Sequence, residues 1–228
     1  MDQTLLQAAA LIIPLIIAIV FHEVAHGWVA RALGDPTAQE ARRLSLNPLR
    51  HVDPIGTVVL PGMLALVSAP VFGWAKPVPV NKHRLNNPRY GMMAVAAAGP
   101  ATNFVLAAIG AVLLGLMARF FADADGLVLQ FLSMNLNYFI AINVFLALFN
   151  LLPIPPFDGS HIVEGLLPDS AARTYGKLRP YGFPLLFLFL PVIPMVWPSL
   201  GIVENVVLPP VEWARGLYLD LARAVAGI

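Results

Sequence analysis

Cysteine is absent from the chain, which excludes disulfides, thiolate metal ligands and a cysteine nucleophile. Charge is scarce too: 12% of residues are Asp, Glu, Lys or Arg, against 58% hydrophobic. So few charges do not solvate an ordinary soluble domain, and the mean hydropathy of +0.75 points the same way. The net charge is only +1, and no basic cluster is interleaved with aromatics, so no nucleic-acid partner is implied. The chain opens Met1-Asp2 without the basic start of a secretory signal, so the apolar run that follows reads as a retained span. No repeat of fixed period and no low-complexity tract occurs.

What the chain has instead is apolar runs long enough to cross a bilayer, which takes about 20 residues each. The pattern predicts a first helix from about Leu5 to Leu33, kinked at Pro14 and ended by Gly34 with Pro36 beyond. A second span is expected over Gly91 to Phe120 and a third over Leu127 to Leu152, with Asp123 and Asp125 between them. Phe183 to Val207 is apolar but cut by four prolines after Phe183 and by Gly201, and reads as a broken span or hairpin. Pro210 to Ile228 reads as an amphipathic terminal helix on the membrane surface.

Between the first two spans, residues 34–90 hold many turn formers and basic residues. Val58 to Phe72 is too short and interrupted to span, which fits a re-entrant segment, while Pro77 to Asn81 reads as an extended edge strand. The expected fold is therefore an all-α polytopic membrane protein of about four transmembrane segments plus this re-entrant/edge-strand element. A single domain covers 1–228, with its core in 5–170 and a broken span plus terminal helix in 183–228. Lys and Arg concentrate in loops 34–90 and 153–182, so the positive-inside rule puts the N-terminus outside and the far end of the first helix at the cytoplasmic face of the cell membrane.

At that far end lies His22-Glu23-Val24-Ala25-His26, an H-E-x-x-H motif. Residues four apart share a helix face, so both imidazoles can grip one metal ion, and zinc suits such nitrogen ligands. Glu23 lies beside the metal, where a carboxylate can take a proton from water. Two histidines do not close a zinc site. Asp158, after the proline-rich break that ends the third span, returns to the same membrane face and is the expected third ligand. Ionisable groups set so deep in apolar helices are costly unless something binds them.

Three motifs in this order resemble the site-2 proteases, intramembrane zinc metallopeptidases: H-E-V-A-H at 22–26, G-P-A-T-N at 99–103 and N-L-L-P-I-P-P-F-D-G at 150–159. N-P-L-R-H-V-D-P-I-G-T at 47–57 and F-G-W-A-K-P-V-P-V-N at 72–81 are similar to a compact bacterial branch of that family, without an appended PDZ or CBS domain. The resemblance implies one Zn2+ per chain on His22, His26 and Asp158, Glu23 as base, and hydrolysis of a peptide bond in or near a substrate transmembrane segment. It also places Asn103 near the active site, as a substrate or oxyanion contact or as a helix–helix hydrogen bond.

Asn150 is expected to tie the kinked backbone or support the site, and His161, three residues after Asp158, to stand behind the metal ligands. A transmembrane substrate must unwind to be cut, and 77–81, with Asn81, could hold it as an added strand. The expected partners are a single-span membrane protein substrate and the lipid bilayer, with gating left to a regulatory partner or a homo-oligomer. The rival reading is a membrane metal-binding protein without proteolysis, a transporter or degenerate scaffold. Glu23 between the histidines favours the enzyme.

Overall fold

Caps, prolines and small residues decide where each apolar run becomes a helix and which neighbour it meets. The computed structural model describes residues 3–66, 73–121, 126–188, 197, 201 and 203–228. Helix α1 spans Gln3–Ala32 with Pro14 inside it, and Gly34 at φ +103° turns the chain away at its end. Helix α2 spans Pro88–Phe120. It starts ahead of the expected Gly91 because the Asn87 side chain accepts from the amides of Arg89 and Tyr90, with Pro88 in the first turn. Helix α3 spans Leu127–Asn150, α4 Asp158–Leu166, α5 Asp169–Gly176 and α6 Leu208–Ala226. The protein is all-helical, with no strand among the described residues.

Three of these helices, over Leu6–Ala32, Pro88–Phe120 and Leu127–Asn150, are long and apolar enough to cross a membrane. They pack on one another, with α2 also carrying α4 and α6. The fourth expected span falls largely on 189–196 and 198–200, outside the described residues, as do Asp123, Asp125 and 67–72. Of the expected re-entrant segment, the described part is helical: Leu60–Leu66 follows a π-turn over Pro54–Val59, which Asp53 caps by accepting from Ile55 and Gly56.

One expectation gains a neighbour and another needs correction. The expected terminal helix, α6, packs along α2. Ala107 and Ala111 of α2 and Ile140 and Val144 of α3 form a buried cluster with Val211, Ala214 and Ala222 of α6. Tyr218 donates from its hydroxyl to the Phe104 carbonyl at 3.2 Å. Without a hydrophobic drive between helices in lipid, close approach over small residues supplies the contact. Position 115 shows how close: a Cβ there would stand 2.4 Å from the Ala222 carbonyl oxygen and 2.7 Å from Val225 Cβ. Since Tyr218 meets Phe104 and Ala222 meets Gly115, α6 runs in the direction of α2.

The correction concerns 77–81, which is extended at Asn81 but pairs with no strand among the described residues. Pro77 and Pro79 carry no N–H, and carboxylates take two of the remaining amides. The Val78 amide donates to Glu23 Oε2 at 2.8 Å and the Asn81 amide to Asp35 Oδ2 at 2.6 Å. Arg43 donates to the Lys76 carbonyl at 2.6 Å, closing a strap that runs beneath the end of α1. Asp35 is buried and also accepts from the amide and hydroxyl of Thr37. Burial pushes its carboxyl up, but these hydrogen bonds outweigh it and hold the group below the usual carboxylate range.

Replacing Gly115 by Leu should overpack the α2–α6 contact and cost about 1–3 kcal/mol. Thermal unfolding in detergent reads this as a lowered midpoint; an unchanged midpoint would mean that α6 does not depend on that contact.

Candidate metal centre

His22 and His26 lie one turn apart on α1, and both rings are buried. Each is held from behind. His22 Nδ1 stands 2.5 Å from Asn103 Oδ1, and His26 Nδ1 2.7 Å from the Val95 carbonyl oxygen. Both partners only accept, so both Nδ1 atoms carry the proton and donate it. The Nε2 lone pairs are left to face forward. Asn103 presents its oxygen to His22 because its amide nitrogen is already committed. It donates to the Asn143 Oδ1 at 2.8 Å and to the Ala18 carbonyl at 3.3 Å. Asn143 is oriented in turn by donating to the Phe139 carbonyl at 2.8 Å. The chain Phe139–Asn143–Asn103–His22 thus runs from α3 through α2 to α1.

In front of the two Nε2 atoms stands Asp158, the first residue of α4, its Oδ2 3.2 Å from His22 and 3.3 Å from His26. That oxygen is buried and has no hydrogen-bond partner. Three lone-pair atoms of His22, His26 and Asp158 lie within 4.8 Å of one another. Ligands on zinc at about 2.0–2.1 Å in a tetrahedron stand roughly 3.3 Å apart, so the residues present fit the ion. Gly99 keeps the space open: a Cβ at that position would lie 2.5 Å from His26 Nε2 and 2.6 Å from His22 Nε2. At about 1.5 Å per residue, Val95 and Asn103 are roughly 10 and 22 Å into α2, so the group lies inside the bundle rather than at its surface.

Among the expected site residues, the structure brings His22, His26, Asp158 and Asn103 together, with Glu23 next to His22 on α1 and held by the Val78 amide. Asn103 is fully buried and both its amide hydrogens are used, so its place is the helix–helix hydrogen bond, with no donor free for an oxyanion. Asn81 caps its own turn by accepting from the His83 amide, and only its segment, through Val78, reaches Glu23. Asn150 donates to the Leu146 carbonyl within its own helix. His161 accepts at Nδ1 from Arg179 at 3.1 Å rather than touching the ligands. Burial, and then the Arg179 guanidinium, lowers its pKa. Asn143 was not singled out by the sequence, where it is one asparagine of several in an apolar helix.

Three apolar helices around a buried two-histidine, one-aspartate group define a multi-pass membrane metalloprotein. The model of peptidase family M50 matches residues 123–189, the part that carries Asp158. YwhC of Bacillus subtilis strain 168, whose name proposes a zinc metalloprotease, is 40% identical over 195 residues, covering 84% of this chain and 85% of that protein. Rip2 of Mycolicibacterium smegmatis, whose name proposes the same, is 28% identical over 175 residues, covering 77% of this chain and 64% of that protein. No solved structure matches. The chain belongs to peptidase family M50, the site-2 proteases, and is a membrane metalloprotease.

Asn143→Leu, which frees the Asn103 amide to turn away from His22, should weaken metal affinity by up to about tenfold, the lower end of the effect of losing a direct ligand partner. Asn143→Asp, which keeps an acceptor for Asn103, should retain most of it. Chelator competition and the absorption spectrum of the Co2+-substituted protein check this. A leucine variant with the affinity and spectrum of the parent would remove Asn143 from the support of the site.

Proposed function

We propose that this protein uses one zinc ion on His22, His26 and Asp158 to hydrolyse a peptide bond in or beside the transmembrane segment of a single-span membrane protein. The observation that carries the reading is the convergence of two Nε2 atoms, their Nδ1 protons engaged behind them, on an unpartnered buried carboxylate oxygen. When bound, zinc supplies a water of lowered pKa and polarises the scissile carbonyl.

The chain's own residues do the rest. Asn103 and the Val95 carbonyl hold the imidazoles at fixed angles, so that little reorganisation is left for the reaction. Glu23 Oε1 and Oε2 take up the proton of the attacking water and pass it to the leaving amine. In the resting protein Oε2 is positioned by the Val78 amide. The surrounding helices exclude bulk water, which strengthens each of these interactions.

A helical substrate offers no free carbonyl, so the scissile region must be extended. The strap beside Glu23 can accommodate that: the Val80 amide and the carbonyls of Val78 and Pro79 have no partner among the described residues. They can pair with an unwound segment by strand addition. The basic residues of 34–90 and 153–182 support an orientation in the cell membrane with the N-terminus outside and the site toward the cytoplasmic face.

The test is zinc content together with cleavage of a single-span model substrate. Glu23→Gln should keep its zinc and lose about 100- to 10,000-fold in rate, the range of general acid–base assistance. Asp158→Ala should lose both zinc and cleavage. A zinc-loaded glutamine variant that still cuts would overturn the role of Glu23. A zinc-loaded parent that cuts nothing across a wide substrate panel would leave a metal-binding protein without proteolysis.

A further inference from the structure

Beside the N-terminal end of α2, where it meets α4 and α5, lies a cavity of about 420 Å3. Its charged walls are Lys82, Arg89, Glu164, Asp169, Arg173 and Arg179. Two of the four cations are compensated. Arg89 pairs with Asp169 at 2.6 Å and also donates to the Gly165 and Leu167 carbonyls. Arg179 pairs with Glu164 and donates to His161. Lys82 and Arg173, both exposed to solvent, have no partner among the described residues, so the cavity wall carries two positive charges that no carboxylate offsets. Burial, and then Arg179, lowers the pKa of His161 on the same wall. The first turn of α2, the positive end of a 33-residue helix, borders the same space.

Position narrows the choice of anion. The cavity sits at the first turn of α2, the end of a helix long and apolar enough to cross a membrane. Tyr90, 53% exposed and beneath the Arg89 guanidinium, marks headgroup depth, and Leu166, 68% exposed, offers apolar surface next to it. We propose that this cavity binds the phosphate-bearing headgroup of an anionic phospholipid. A substrate segment is the weaker candidate. On the orientation proposed above, the cytoplasmic flanks of single-span proteins are themselves rich in Lys and Arg and would be repelled. The anion concentrated at that depth is the lipid headgroup. The lipid would then sit one helical turn along α4 from Asp158, bracing α4 and α5 against α2.

The experiment takes the full-length, zinc-loaded protein, delipidated in neutral detergent. Calorimetry and the thermal unfolding midpoint are followed against short-chain phosphatidylglycerol, phosphatidylcholine and inorganic phosphate. Phosphatidylglycerol should bind at least about tenfold more tightly than phosphatidylcholine and raise the midpoint accordingly. In Lys82→Gln/Arg173→Gln its affinity should fall about thirtyfold, the effect of two cationic contacts near an anionic surface, with zinc content unchanged.

Equal binding of the two lipids by the parent would overturn the proposal without recourse to any variant, as would parental affinity in the double variant. Inorganic phosphate binding as tightly as phosphatidylglycerol would make this a soluble-anion site. A glutamate-rich peptide that binds where phosphatidylglycerol does not, and is lost in the double variant, would make it a protein-docking site. No readout uses cleavage, so failure here and failure of the proteolytic reading are separable.

Discussion

The hydrogen bond from His22 to Asn103 is the contact on which the rest of the site depends. In hydrocarbon an unsatisfied polar group costs several kcal/mol, so each donor brought into the bundle must find an acceptor there. The series from Phe139 through Asn143 and Asn103 to His22 gives every nitrogen and oxygen along it a partner. An amide has a donor end and an acceptor end, so the series also has a direction. That direction fixes the imidazole tautomer at the metal. The same atoms set the register of α1 against α2 and of α2 against α3, so catalytic geometry and helix packing are one constraint.

Small residues carry the complementary part. Gly99 on one face of α2 leaves room for the metal group, and Gly115 on another lets α6 approach until backbone meets backbone. Lipid tails are as apolar as leucine, so burial alone gives helices little reason to associate in a membrane. Shape and hydrogen bonding do the work. This explains how α6, with charged residues paired with one another along its exposed side, packs against α2.

The sequence disclosed the metal group because its chemistry is local or positional. Two histidines four apart fix a helix face, and a third ligand was required from a segment returning to the same depth. The three long helices were legible from length and hydropathy, and the early start of α2 turned only on the cap at Asn87. Asn143 was not legible: α3 also holds Asn135, Asn137 and Asn150, and nothing in spacing distinguishes the one that meets Asn103. The strap at 77–81 was legible as extended from its prolines. What its amides bind was not, since Glu23 and Asp35 belong to a distant stretch. For α6 the amphipathic pattern was legible but its neighbour was not; the signal for that contact was the Ala107, Ala111, Gly115 row on the helix that receives it.

The order of the ligands along the chain has a consequence in time. His22 and His26 belong to the first helix made, and Asp158 follows only after two further helices have been built. At roughly 5–20 residues per second, synthesis separates them by about ten seconds. Through that interval the nascent chain lacks Asp158, and the three-residue group is complete only when α4 docks against α2. On the proposed reading, metal loading would then report completed assembly, and the protein would stay unarmed while it is inserted among other unfolded membrane chains.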